Sequence, residues 1–497
     1  MIELKNIGYF TIFNIVRTGI SILKIQNGIS KFILGVLAIF TTLVLFSMSM
    51  FYYENYATVN RAFNWGSLLL ALVFVGVIGY FLVRISDRNK KLNWTILLAM
   101  LVVFVIVATT WVLVVPKTQL SDFGNFWTRV PGLQHGAKLY ETDNDYFSRF
   151  AYQSGYMVYV LGVVKIFGYH IFAIQFLNVI YQALILFFTY LLAVKIFENI
   201  KVARLAVLLL MIDLDWFALN SQASNQYLGS LCYLITFYLI MQDKFWAYIL
   251  SGVTLTIGCL IRPIGPVIVA GIVVFAILYT MFENGKFNYQ KPLKILLSLL
   301  IYLALFSLAG WGIKASGLNA YGLSNYDPEW KFVTGLNYQS NGTYSPDMDR
   351  LIDASKPRKV MSKKEKAALH QEITYLNKNK KWLNLFINKV GGLWSQRTMA
   401  TNFTGYSQNH SAKTVERVDY LAYVGSIILI IFSWIGSFSL FKTKFSNNLY
   451  LLLLPMLAFA AAQLLIEVQG RYRIEFLPVI AILASLGLYQ FFIKKDV

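Results

Sequence analysis

The sequence predicts an all-α polytopic membrane protein: a bundle of about twelve transmembrane helices with juxtamembrane helices and one large external loop. Three observations carry this. Of 497 residues, 57% are hydrophobic and only 14% charged, which leaves too little polar surface to enclose a soluble core. The apolar residues gather into runs of about 17 to 25, the length a helix needs to cross a bilayer. The short loops between those runs alternate in their content of Lys and Arg, as the positive-inside rule expects.

Taken in order, the apolar runs lie near 32–53, 66–84, 94–116, 170–196, 203–219, 225–242, 245–261, 264–282, 293–316, 417–441, 448–466 and 474–493. Tyr156 to Gly168 is also apolar but brief, and it carries Lys165, so it is expected to be a juxtamembrane or re-entrant helix. Residues 1–31 mix charged and apolar residues without a small-residue cleavage site, so the first helix is expected to stay as an anchor.

With the N-terminus inside, the predicted cytoplasmic segments carry Lys5, Arg17, Lys24 and Lys31, then Arg84, Arg88, Lys90 and Lys91, then Lys201, Lys286, Lys291, Lys442, Lys444, Lys494 and Lys495. The opposite orientation would put several of these short basic loops outside. The expected location is therefore the cytoplasmic membrane, with many passes and a functional face on its extracytoplasmic side.

This divides the chain into an N-terminal segment with two extra spans (1–92), a transmembrane module with a first external loop at 117–169 (93–316), an external cap (317–416) and the C-terminal spans (417–497). Within the cap, Gly335 to Asp347 is turn-rich. From about Lys363 to Lys389 the pattern becomes helical. Trp382, Leu383, Leu385, Phe386 and Val390 form an apolar face bordered by Lys378, Lys380, Lys381 and Lys389. Such a helix suits either a membrane surface or a small folded cap.

Composition also excludes function classes. The formal charge of +20 is spread between apolar segments and builds no nucleic-acid module. Cys232 and Cys259 sit inside apolar runs and imply no disulfide framework. The four histidines, His135, His170, His370 and His410, form no ligand pair at helical spacing, so no metal site is assigned and metal dependence stays open.

Polar residues at the edges of membrane spans are costly, and by default they mark function. In the predicted topology Asp122, the loop acids Glu141, Asp143 and Asp145, Asp213, Asp215, Arg262, Glu467, Arg471 and Arg473 all fall on the external side. Asp122 stands in SDFGNFW, just after a span ends, among aromatics that exclude water and favour a basic carboxylate. The alternative is that Ser121 or Asp122 merely caps an interfacial helix.

Arg262 precedes Pro263 at a break between two apolar runs, where it would either grip a phosphate or snorkel to the headgroups. In EVQGRYRIEF, Arg471 and Arg473 would serve phosphate or pair with Glu467 and Glu475 in a short loop. DLD at 213–215 and DND at 143–145 look like metal-binding aspartate pairs, but three-residue acidic patterns also simply terminate spans.

SDFGNFW, YFSRFAYQSGYMVYVLGVVKIFG, SGVTLTIGCLIRPIGP, GLNYQSNGTYSPD and IEVQGRYRIEFLPVIAILASLGL occur in an order that resembles bacterial membrane glycosyltransferases of the C-type fold, GT-C. The nearest group is the protein O-mannosyltransferase-like branch, distantly related to the lipid A aminoarabinose transferase, and the resemblance covers roughly residues 93 to 493. It implies a polyprenyl-phosphate sugar as donor, with Asp122 as the catalytic carboxylate and Arg262 with Arg471 or Arg473 near the donor phosphate. Gln153 and Tyr156 in YQSGY, with Asp213, Asp215, Asn225 and Glu467, would shape the cavity or meet the acceptor.

Two departures stand out. Many relatives carry an acidic residue where this chain has Asn225, and two spans rather than one precede the span leading to Asp122. The expected function is transfer of a sugar from the lipid carrier to an acceptor hydroxyl of a cell-envelope glycopolymer, glycolipid or protein, with inversion. A lipid-linked sugar flippase or transporter, and an envelope glycan polymerase or ligase, remain as alternatives.

Overall fold

The computed structural model describes residues 3–140, 146–283, 286–324, 329–351, 353, 356–396 and 399–493, with side chains from Lys24 onward. Glu141, Asp143 and Asp145 lie outside the described residues. Three long helices come first, α1 (Glu3–Asn55), α2 (Arg61–Arg84) and α3 (Lys90–Val114). After a loop and the short α4 (Asp122–Thr128) come α5 (Ser154–Phe167), α6 (Ile171–Phe197), α7 (Ile200–Met211), α8 (Gln226–Ile240), α9 (Phe245–Ile261), α10 (Gly265–Phe275) and α11 (Gln290–Ala315).

The cap holds α12 (Trp330–Leu336), α13 (Arg358–Lys378) and α14 (Trp382–Val390). The chain then returns through α15 (Ala412–Ser439), α16 (Leu449–Gln463) and a 3₁₀ turn, Gly470–Phe476, that runs into α17 (Leu477–Tyr489). Strand structure among the described residues is limited to a two-residue pairing of Phe282 with Phe287 and Glu283 with Lys286.

The protein is an all-helical, multi-pass membrane protein. Among the described residues, seven helical segments are long and apolar enough to cross a bilayer, and four shorter apolar helices, Gln226–Ile240, Phe245–Ile261, Gly265–Thr280 and Leu449–Gln463, accompany them. The sides of α2, α3 and α11 expose Leu69, Leu70, Leu113 and Leu300, as faces meeting lipid tails do. By contrast α17 is buried from Leu477 to Leu488 and forms the centre of the bundle.

One expected span is different. The run at 203–219 is helical only as far as Met211, and residues 212–225 form short turns buried in the bundle. Non-helical backbone is tolerated at that depth only where its polar groups find partners. The partners are a polar row on α6: Gln175 donates to the Ser221 carbonyl at 2.6 Å, Asn178 to that of Gln222 at 2.9 Å and Gln182 to that of Phe217 at 3.1 Å. Trp111 of α3 adds a bond to the Ala218 carbonyl at 2.9 Å.

The helical pattern at 363–389 is also two helices rather than one, broken where Lys380 takes a φ of 52°. Lys389, expected on the polar border, is buried instead. Its ammonium donates to the carbonyls of Gly335 at 2.5 Å and Ile466 at 2.8 Å, and so staples the cap to the segment after α16. The two segments meet closely there: a Cβ on Gly335 would lie 2.3 Å from the Ile466 carbonyl carbon, and Glu467 N–H bonds the Lys331 carbonyl at 2.9 Å.

Burial pushes the Lys389 ammonium down to about 7, against a smaller lift from Glu467. An unfolded lysine titrates near ~10.4, so between about pH 7 and that value the unfolded chain holds more protons than the folded one. Stability must therefore rise with pH across this window, with the penalty complete below about 7. Lys389→Met is expected to remove that rise from the thermal midpoint of the purified protein. An unchanged pH dependence in the variant would assign it to other groups.

Candidate active site

A cavity of about 590 Å³ opens where the first loop, the cap and the C-terminal segment meet. Its charged and polar lining includes Asp122, Arg149, Gln153, Arg262, Lys331, Asp349, Glu467 and Arg471. Ile264, Tyr302, Phe306 and Leu323 also line it. Phe306 and Tyr302 lie 9 and 13 residues before Ala315, the end of α11, which puts them roughly 13 and 20 Å down that helix. The cavity thus reaches along a helix long and apolar enough to cross a bilayer.

Asp122 is held by the backbone leading to it. Gln119 accepts a bond from Ala223 N–H at 2.6 Å, and Gln222 both accepts from Leu120 N–H at 3.0 Å and donates to the Thr118 carbonyl at 3.1 Å. These tie 118–120 to the buried 212–225 segment, which is itself held by the polar row of α6. At Ser121 the backbone turns with φ 54° and ψ −136°, a conformation a non-glycine residue adopts at a cost of about 1–3 kcal/mol. Asp122 then begins α4, and Ser121 makes no side-chain capping bond. The helix start is real, but capping does not account for the residues there.

Arg471 forms an ion pair with Asp122 and donates through Nε to Gln469 at 2.8 Å. Its guanidinium also lies 5.2 Å from the ring centre of Phe123 and 5.6 Å from that of Tyr472. Burial raises the Asp122 carboxyl, and the Arg471 charge, helped by Lys331 and Arg262, more than offsets this and leaves it below its ordinary value.

Arg262 ends α9, pairs with the buried Glu475 and stacks 4.9 Å from the centre of Tyr472. A 3₁₀ turn has three residues per revolution, so Tyr472 and Glu475 share one side of Gly470–Phe476. Arg471 and Arg473 fall on different sides for the same reason.

Arg473 is accordingly absent from the cavity. It is fully buried in an ion pair with Asp215 and donates to the carbonyls of Leu393 at 2.6 Å and Gln396 at 2.8 Å, which locks the cap to the bundle. This corrects the expectation that it stands beside Arg471 on phosphate. Asp213 and Asp215 are likewise buried away from the cavity. Asp213 caps the Leu214–Phe217 turn, bonds Asp215 N–H at 3.1 Å and accepts from Ser426 at 2.9 Å.

Asn225 stands behind the wall and donates to Gln153 at 3.3 Å, so Gln153 alone of the two faces the cavity. Tyr156 is buried beneath α4, edge-on to Phe126 at 4.8 Å. Among the described residues no group of three or more His, Cys, Asp or Glu is placed to hold a metal ion.

Sequence reasoning missed Lys331, Arg149 and Asp349. Lys331 pairs with Glu467, and Arg149 with Asp349, joining the cap to the rest of the site. Burial lowers the Lys331 ammonium, but Glu467 outweighs it and carries it well above its ordinary value. All three lie in short helical segments, Trp330–Leu336, Tyr146–Arg149 and Pro346–Asp349, too brief for periodicity to separate a cavity residue from a solvated one.

Gly155 brings the start of α5 onto the end of α9, where a Cβ would sit 2.3 Å from the Leu260 carbonyl oxygen. Gly155→Val is expected to destabilise the fold by about 1–3 kcal/mol, read as a lowered thermal midpoint. Gly162→Ala on the same helix, where nothing lies within 4 Å, is the control and should be nearly silent.

No protein-family model matches the chain, and no curated protein does. Among solved structures it is similar to ArnT from Cupriavidus metallidurans in its crystal structure bound to undecaprenyl phosphate. The match has 13% identity and a TM-score of 0.34, and covers 78% of this chain and 77% of that one. With an overlap that partial, the site must be read from its own residues.

Proposed function

We propose that the protein is a membrane glycosyltransferase that moves a sugar from a polyprenyl-phosphate carrier to an acceptor hydroxyl at the extracytoplasmic face of the cytoplasmic membrane. The supporting observation is the cavity lining, which brings Asp122, Arg262 and Arg471 together with Tyr302 and Phe306 of the apolar helix α11. A ligand with a charged head and a long apolar chain suits such a lining. The motif order that resembles GT-C transferases points the same way, as does the dependence of that family on lipid-linked donors.

In the proposed reaction Asp122 takes the proton of the acceptor hydroxyl as its oxygen attacks the anomeric carbon, and the bond from that carbon to the phosphate oxygen breaks. The electron pair leaves with the phosphate, whose charge Arg262 and Arg471 stabilise without a general acid. Attack opposite the leaving group inverts the linkage. The cap at 317–416, which contributes Leu323, Lys331 and Tyr344 to the cavity, would close over the acceptor.

The test is purified protein supplied with a panel of polyprenyl-phosphate sugars, with mass spectrometry of lipid and acceptor. Addition of one sugar supports the transferase. Long chains would mean a polymerase, and unmodified lipid moved to the opposite leaflet a flippase.

A further inference from the structure

Four cations line the cavity, and each is already paired with a carboxylate: Arg149 with Asp349, Lys331 with Glu467, Arg262 with Glu475 and Arg471 with Asp122. Among the described residues, a phosphate entering this site meets no lining cation without a carboxylate partner. The pairs differ in how they can yield. Glu475 is 1% exposed, is not part of the cavity lining and holds Arg262 through Nε, so that pair stays closed while Arg262 itself lines the cavity. Glu467 is 4% exposed and is also bonded by Gln469 at 2.7 Å. Asp122 and Asp349 are the exposed carboxylates of the four, at 28% and 27%, and they differ in the cation they hold: Arg149 is 13% exposed, while Arg471 is 3% exposed and fixed by Gln469 and the surrounding rings.

We propose that Arg471 is shared in turn by Asp122 and the donor phosphate: in the empty site it holds the carboxylate, and an arriving polyprenyl phosphate takes its place and releases Asp122 to the acceptor hydroxyl. This rests on the transferase reading above. No bond is made or broken in the exchange; one anion replaces another on the same guanidinium. Two consequences follow from linkage. The site loads its donor before its acceptor, since Asp122 is engaged until the phosphate arrives. The carboxylate and the phosphate also weaken each other's hold on Arg471, so removing the carboxylate must strengthen phosphate binding.

Equilibrium binding of undecaprenyl phosphate to the full-length protein in nanodiscs tests this, with undecaprenol as the phosphate-free reference. Asp122→Asn is expected to tighten binding about five- to tenfold. Arg471→Gln is expected to weaken it, and the double variant to bind like Arg471→Gln alone, because the competition disappears with the shared group. Asp349→Asn removes an equally exposed cavity carboxylate from a different cation and is expected to leave affinity unchanged.

Equal or weaker binding by Asp122→Asn overturns the exchange while leaving the transferase reading intact. So does a matching gain in Asp349→Asn, which would reduce the effect to overall cavity charge. Wild-type protein that binds undecaprenyl phosphate no better than undecaprenol overturns both.

Discussion

Asp122→Asn is expected to reduce sugar transfer by about 10²- to 10⁴-fold, the range typical for loss of a positioned general base. The substitution keeps the size of the side chain and removes its capacity to accept a proton. Because Ser121 and the Gln119–Ala223 and Leu120–Gln222 bonds hold this stretch through the backbone, the amide should occupy the place of the carboxylate. Donor binding should therefore persist in the inactive variant. Transfer assays with radiolabelled or mass-tagged donor, beside binding of the same lipid, separate the two effects. An Asp122→Asn protein that still transfers at near the wild-type rate would remove Asp122 from the chemistry.

The pH profile gives a related reading. Arg471 holds the Asp122 carboxyl below its ordinary value in the empty site, so the free protein keeps it ionised throughout the neutral range. A base held that low is also a weak one, and its release from Arg471 when phosphate takes the guanidinium would raise its basicity where the acceptor hydroxyl arrives.

Arg473→Gln is expected to cost about 3–5 kcal/mol of stability, the range found when one partner of a buried ion pair is removed. Asp215 would be left as a charge without its guanidinium, and the carbonyls of Leu393 and Gln396 would lose a shared donor. Thermal unfolding in detergent should show a strongly lowered midpoint. Paired replacement, Asp215→Leu with Arg473→Leu, should recover much of the loss because it leaves no lone buried charge. If Arg473→Gln instead kept its thermal midpoint and lost affinity for undecaprenyl phosphate, the arginine would return to the phosphate site.

The two arginines of RYR show where sequence reading stops. In the sequence they are equivalent, two cations within three residues at the edge of a span. In the 3₁₀ turn they point to different places, one to the cavity and the other to a buried aspartate. No pattern in the segment announces a 3₁₀ turn rather than a loop. The Asp213 and Asp215 acids were similarly ambiguous, and their burial against Ser426 and Arg473 settles their surroundings. Gln175, Asn178 and Gln182 are different again. They share one face of α6, and their purpose depends on an irregular segment that the same sequence presents as an apolar helix.

By itself, the sequence determined the membrane class, the order and ends of most helices and the residues at which charge gathers. Those follow from local quantities: the length of apolar runs, the placement of Lys and Arg, and the cost of charge at a membrane. Only the tertiary structure decided which of those charges share a cavity and which serve as bolts between segments. Asp122 and Arg471 are 349 residues apart, and Arg262 and Glu475 are separated by 213. An ion pair depends on distance in space, and nothing in the composition around either residue encodes its partner.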